Sequence, residues 1–145
     1  MSVTSTKKAL LREINCAYVP VTDPAVSAEW YERVLGLQLR SPVKPGRGAI
    51  MIMGGGQWLF LLPSPDMTPL TFDTTGWAED DELFEMFPLC FQTDEIQALH
   101  ASLIASGAWT EAAIRDEGGC GFQLDFKDPD GNKFQAWQPP AGQGD

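Results

Sequence analysis

The sequence predicts an α+β fold made of two βαβββ modules in tandem, and three observations carry that prediction. The stretch Asn15-Cys16-Ala17-Tyr18-Val19-Pro20-Val21-Thr22-Asp23 leads into a helical pattern ending at Gly36, and Pro88-Leu89-Cys90-Phe91-Gln92-Thr93-Asp94 leads into another ending at Gly107. Asp and Gly stand the same distance apart in both, as duplication of a strand, cap, helix and stop would leave them. Each helix is followed by short alternating segments that read as strands. A chain of 145 residues has room for one compact domain with its own core. The expected organisation is a first module over 13–62, an inter-module loop over 63–86 and a second module over 87–139, all within a single domain spanning 1–145.

The opening strand runs from Ile14 to Val21, where β-branched and aromatic residues dominate and Pro20 marks an edge or an end. Asp23 caps the following helix, and Pro24 takes its first position, where a missing N–H costs nothing. Val26, Trp30 and Val34 recur on one face with Leu35 beside them, and Gly36 stops the helix by allowing a left-handed backbone. Ala49 to Met53 and Gln57 to Leu62 flank Gly54-Gly55-Gly56 as a β-hairpin. The next stretch holds Pro63, Pro65, Pro69 and the acidic run Glu79-Asp80-Asp81-Glu82. It reads as a solvated linker, with a lid or binding loop, or a partner surface over 79–85, as the alternative.

In the second module Asp94 and Gln97 form a near variant of a capping box ahead of the stripe Ile96, Leu99 and Leu103, and Gly107 closes the helix. Phe122, Leu124 and Phe126 alternate with polar residues as in a half-buried strand. Asp128-Pro129-Asp130-Gly131 has the residue order of a type I turn, and Lys133 to Gln138 returns as the last strand. Gly118-Gly119-Cys120-Gly121 lacks the strand-before, helix-after context of a phosphate loop and reads as a flexible connector. The carboxylates Asp23, Asp94, Asp128 and Asp130 read as caps and turn residues, and Asp125 as a strand residue that faces solvent or, as the alternative, points into the cavity mouth.

Ten Lys and Arg against twenty Asp and Glu leave a formal charge of −10. That balance argues against nucleic acid and anionic membranes, which are bound chiefly through Lys and Arg, and favours a neutral or cationic molecule or another protein. Met1 to Leu11 lacks the long apolar run of a signal peptide or spanning helix, so a cytoplasmic protein is expected. Cys16, Cys90 and Cys120 are odd in number and widely spaced, which fits reduced thiols. His100 flanks the apolar stripe of its helix and reads as a solvated side chain, not a catalytic base.

Val19-Pro20-Val21-Thr22-Asp23, Trp30-Tyr31, Leu35-Gly36-Leu37 and Asp128-Pro129-Asp130-Gly131-Asn132 with the strand after it together resemble the vicinal oxygen chelate superfamily, which contains glyoxalase, bleomycin-resistance proteins, fosfomycin-resistance transferases and extradiol dioxygenases. The resemblance spans roughly residues 13 to 139 and implies two βαβββ modules forming a curled mixed sheet around a cavity, and a homodimer. It also implies four strand positions where enzymatic members hold a divalent metal with His, Glu or Gln. Here those positions carry Cys16, Phe60, Pro88 and Gln135. Of the four only Gln135 is a plausible oxygen ligand, so no metal site and no cofactor is expected.

Side chains in step with those positions share their face of each strand: Tyr18 with Cys16, Trp58 and Leu62 around Phe60, Cys90 and Gln92 beyond Pro88, and Trp137 after Gln135. The opposite set, Ala17, Val19, Leu59, Leu61, Leu89 and Phe91, is expected beneath the helices. The resulting lining is aromatic and mostly apolar, with Tyr18, Gln92 and Gln135 as polar handles, and suits a flat organic molecule. The expected function is therefore a metal-independent small-molecule-binding protein taking an aromatic or cationic compound, with no catalytic residue. The competing expectation is a lyase, isomerase or dioxygenase with an atypical metal site or a metal-free mechanism.

Overall fold

The computed structural model describes residues 8–77 and 79–141. Most of the segment Met1 to Leu11 lies outside them. The chain runs β1 (Cys16–Val21), α1 (Pro24–Leu35), β2 (Gln38–Leu39), β3 (Ala49–Ile52), β4 (Trp58–Pro63), β5 (Phe72–Thr74), β6 (Phe84–Met86), β7 (Cys90–Gln92), α2 (Ile96–Ser106), β8 (Arg115–Asp116), β9 (Phe122–Lys127) and β10 (Lys133–Gln138). Two four-stranded mixed sheets have the same order, β1-β4-β3-β2 and β7-β10-β9-β8. In each, the first strand pairs in parallel with the last, Tyr18 opposite Phe60 and Cys90 opposite Gln135, so each module closes on itself. The α+β class and the tandem βαβββ organisation are as expected.

Local chemistry explains the first helix. The Asp23 carboxylate accepts from the amides of Ala25 and Val26, and Gly36 adopts φ 72° with its N–H returned to Glu32. The face that packs is rotated from the one expected. Tyr31, Trp30, Val34 and Ser27 are buried, whereas Val26 is exposed. The second helix departs further, because its N-cap is Glu95 with no side-chain cap bond, and Asp94 does not cap. The amide of Ile96 donates instead to Gln138 Oε1 at 2.8 Å, a contact between the helix start and the end of β10 that no local pattern encodes. Gly107 at φ 79° ends α2 as anticipated.

The helix-facing positions of both sheets merge into one core. Val19, Leu59, Leu61 and Met51 from the first sheet and Leu124, Phe126, Phe134 and Ala136 from the second are buried in the same cluster, with Ala17, Leu89 and Phe91 packed against it. Each fully buried Leu or Phe contributes about 1.5–3 kcal/mol. Helix α1 packs on α2, and the Ser102 hydroxyl donates to the Val34 carbonyl across that contact. A buried polar clamp fixes the modules' relation. Asp128 accepts from the Tyr31 hydroxyl at 2.6 Å and from Asn132, whose amide also donates to the Pro20 carbonyl. Burial, more than these donors offset, raises the Asp128 carboxyl above its ordinary value, and burial followed by Asp128 itself raises the Tyr31 phenol.

The stretch 63–86 contains an antiparallel hairpin, Phe72 opposite Met86 and Thr74 opposite Phe84. It is docked on the second sheet, where the Lys133 ammonium donates to the Glu85 carbonyl and Lys127 pairs with the Glu85 carboxylate at 2.9 Å. Solvated linker is therefore an incomplete description of it.

Candidate functional site

Because the helix sides of both sheets meet in one core, their other faces point away from it, and the β5–β6 hairpin covers part of the second. On the first sheet, register settles what shares that face. Tyr18 pairs with Phe60, Phe60 with Ile50, and Trp58 with both Cys16 and Ile52. The next neighbours out are Gln38, opposite Ile52, and Arg40, whose amide donates to the Ile50 carbonyl. Cys16, Tyr18, Trp58, Phe60 and Leu62 therefore lie together, as the alternation required. Their rings form a ladder: Tyr18 stacks on Phe60 at 4.9 Å with 18° between planes, and Trp58 meets Phe60 edge-on at 5.9 Å. The Arg40 guanidinium sits 4.6 Å above the Trp58 ring. The expected enclosure is absent within one chain, since Tyr18 is 61% and Leu62 40% exposed. A hydrogen bond to Cys16, and then Coulombic repulsion from Cys16, raise the Tyr18 phenol above its ordinary value.

The second sheet brings Cys90, Gln135 and Asp125 into one row, and Gln92, Trp137 and Gln123 into the next. The four residues expected here thus share a face, but its character differs from the apolar lining the sequence led one to expect. Asp125, expected in solvent, is 4% exposed. Its carboxylate accepts from Arg115 at 3.0 Å and from Gln135 at 3.2 Å, with the Lys133 ammonium 3.9 Å away. Glu111 accepts from the Asp125 amide and pairs with Arg115. Burial and then Glu111 raise the Asp125 carboxyl above its ordinary value, outweighing Arg115, Gln135 and Lys133. The hairpin covers this end: Lys133 lies 4.4 Å from the Phe84 ring and 5.8 Å from Trp109. Farther along, Trp137 Nε1 donates to the Cys120 carbonyl at 2.6 Å, so the glycine-rich turn around Gly118–Cys120 is a clamp on Trp137 and not a slack connector.

The four positions where related enzymes hold a metal do not fit a hard divalent ion. Phe60 and Pro88 offer no donor atom, and Gln135 spends both ends of its amide internally, on Asp125 and on the Cys90 thiol at 3.2 Å. Burial and Asp125 raise the Cys90 thiol, which disfavours the thiolate a softer metal or a nucleophilic role requires. His100 is half-buried with a ring nitrogen 2.9 Å from the Glu111 carbonyl, on the helix side of its sheet.

Sequence reasoning missed Arg40, Ile50, Ile52, Asp125, Arg115, Lys133 and Glu111 at these faces. The hairpin alternation gave a usable signal for Ile50 and Ile52. Arg40 had none, because β2 is two residues long and its placement depends on pairing with β3. Among the described residues, no hydrogen bond or ring contact joins the first sheet's five residues to the second sheet's four. A recess of about 1010 Å³ opens between the modules, bordered by Leu35, Met53, Phe91 and Leu99 and reached by two of the expected site residues, Cys90 and Gln92.

Paired modules of this topology, with a first strand parallel to the last in each, are what the resemblance implied. The chain belongs to the Glyoxalase/Bleomycin resistance protein/Dioxygenase superfamily, whose family model matches residues 13–136. No curated protein matches the sequence. Among solved structures, a glyoxylase/bleomycin resistance protein/dioxygenase domain from Frankia sp. EAN1pec is similar with a TM-score of 0.68 at 20% identity, covering 92% of this chain and 96% of the other. TnmS3, an antibiotic binding protein from Streptomyces sp. CB03234, has a TM-score of 0.63 at 23% identity over 92% of this chain and 100% of its own. The genomically encoded fosfomycin resistance protein FosX from Listeria monocytogenes has a TM-score of 0.66 at 12% identity over 91% and 94%. At these identities the likeness is one of fold. No helix among the described residues is long and apolar enough to cross a membrane.

Proposed function

We propose that this chain is a metal-independent small-molecule-binding protein whose ligand, a flat organic compound, lies on the outer face of the first sheet. The observation that carries the reading is the Tyr18–Phe60–Trp58 ladder, in which Phe60 touches both other rings on a strand pair backed by a packed core, with Tyr18 exposed and Phe60 and Trp58 partly so. Aromatic faces exposed at rest gain from stacking and from release of bound water when a planar molecule covers them. The second sheet's outer residues Cys90, Gln92, Gln135 and Trp137 complete the site in this reading when a second copy of the chain brings that face opposite the ladder, so the working form is a homodimer in the cytoplasm. TnmS3, which its description names as antibiotic binding, supports a binding role on this fold. The donor chemistry at Cys16, Phe60, Pro88 and Gln135 supports independence from metal and cofactor.

Thermal-shift screening against planar aromatic compounds tests this directly. A ligand present at about 100 times its Kd adds about 2.7 kcal/mol of stability, and that shift is expected to vanish in Phe60→Leu. No stabiliser from a broad aromatic set, or stoichiometric metal in protein purified without chelators that is lost in Gln135→Ala, would overturn the reading in favour of an enzyme.

A further inference from the structure

On the binding role just proposed rests a more specific one. We infer that the ligand is a planar aromatic anion whose rings lie on the Phe60–Tyr18 end of the ladder and whose carboxylate or comparable oxyanion is held by Arg40.

Charge is distributed unevenly along this acidic chain. Four of its ten Lys and Arg residues, Arg33, Arg40, Lys44 and Arg47, fall between residues 33 and 65, and none of its twenty Asp and Glu residues does. That segment supplies β2, β3 and β4, three of the four strands of the aromatic sheet. The outward residues of the four strands are Gln38, Ile50, Ile52, Trp58, Phe60, Leu62, Cys16, Tyr18 and Pro20, none of them charged, and Arg40, bonded to Ile50 directly after β2, brings the one charge to their side. A net charge of −10 points to a cationic ligand, but the face itself presents the opposite sign.

Arg40 is also placed to read an anion. Its guanidinium carbon lies 4.6 Å from the Trp58 ring centroid, a cation–π distance, and the side chain is otherwise exposed. It makes no ion pair or side-chain hydrogen bond with any other described residue, unlike Arg33 and Arg115, which are paired with Glu29 and with Glu111 and Asp125. An unpaired guanidinium in cation–π contact keeps the fork that binds a carboxylate through two parallel N–H bonds, and it loses little side-chain freedom on doing so. The Arg40 guanidinium lies 4.6 Å from the Trp58 ring, which in turn lies 5.9 Å from the Phe60 ring. A bicyclic ring bearing one acidic substituent spans the interval from Phe60 to Arg40.

Three probes with one ring system test the charge: 2-naphthoate, 2-naphthamide and 2-naphthylmethylammonium, titrated calorimetrically into the full-length protein. The expected order is carboxylate about ten-fold tighter than amide, with ammonium weakest, and the preference shrinking as salt rises. Arg40→Gln, a substitution at an exposed position, should weaken the carboxylate far more than the amide and bring the two to similar affinity. Arg40→Lys should keep only part of the preference, and Trp58→Leu should weaken all three probes. A carboxylate preference that survives in Arg40→Gln, or an ammonium probe bound best, overturns the anion assignment. Amide binding that depends on Trp58 but shows no charge preference defeats that assignment and leaves the aromatic platform standing. If none of the three binds, or Trp58→Leu changes nothing, the platform itself falls.

Discussion

On β4 the outward residues are Trp58, Phe60 and Leu62, and on β10, its counterpart in the other module, they are Lys133, Gln135 and Trp137. Both strands pair in parallel with the first strand of their module, and both turn their other side to the same core. The difference shows how surface chemistry dictates what must lie on top. Rings leave no unpaired donor or acceptor behind when they are uncovered, so the first face can stand partly open, at the cost of apolar surface in water. Buried polar and charged groups must each find a partner, so the second face is laced with bonds among Asp125, Arg115, Gln135, Cys90 and Lys133 and sealed at one end by the β5–β6 hairpin. A duplicated module has thus yielded one face free to take a ligand and one largely committed to the protein itself.

The sharpest way to break this contrast is Asp125→Ala, which strips the buried Lys133 ammonium of its ion-pair partner and Gln135 of its acceptor, while Arg115 keeps Glu111. Equilibrium urea denaturation is expected to show a loss of about 3–5 kcal/mol. Next in size is Gly121→Ala. Gly121 has φ 88°, and an added Cβ would meet the Gln138 carbonyl and the Trp137 Nε1 that the turn clamps. A backbone forced in that way costs about 1–3 kcal/mol, and Trp137 fluorescence should report the released ring. A smaller, pH-dependent change is expected for Asp125→Asn. Burial raises the native Asp125 above its ordinary value of 3.8, so the fold favours the protonated acid. That contribution is complete below pH 3.8 and is lost as pH climbs through the raised native value. The deficit of Asp125→Asn relative to wild type should therefore be greatest in acid and narrow with rising pH; a deficit that widens would refute the assignment. The smallest stability effect belongs to the open face, where Tyr18→Leu should shift stability by no more than about 0.5 kcal/mol while removing affinity for aromatic probes.

What could be read from the chain follows from how local each cause is. Asp23 and Gly36 bound α1 because their bonds close within four residues, and Lys133 to Gln138 matched β10 because alternation and the preceding Asp128–Gly131 turn are both local signals. Asp94 failed as a cap because Gln138, more than forty residues away, supplies the bond to Ile96. Hairpin β5–β6 was illegible since its strands are three residues each, set among prolines and acids that resemble a linker. For the site, alternation placed Cys16, Tyr18, Trp58, Phe60 and Leu62 on one face and Cys90, Gln92, Gln135 and Trp137 on another, and the register agrees with that grouping. It could not say what covers a face. Asp125 was assigned to water for that reason, and Arg40 escaped notice because only tertiary pairing puts it over Trp58.

First-to-last strand pairing also has a kinetic consequence. Cys16 must find Trp58, and Cys90 must find Gln135, before either sheet can complete. Closing chain segments of such similar length carries nearly the same entropic barrier, since that barrier grows only with the logarithm of the segment. Whichever half collapses first is therefore chosen by its side chains. Both halves bring rings to that contest, Tyr18, Phe60 and Trp58 in the first and Phe91, Phe126 and Phe134 in the second.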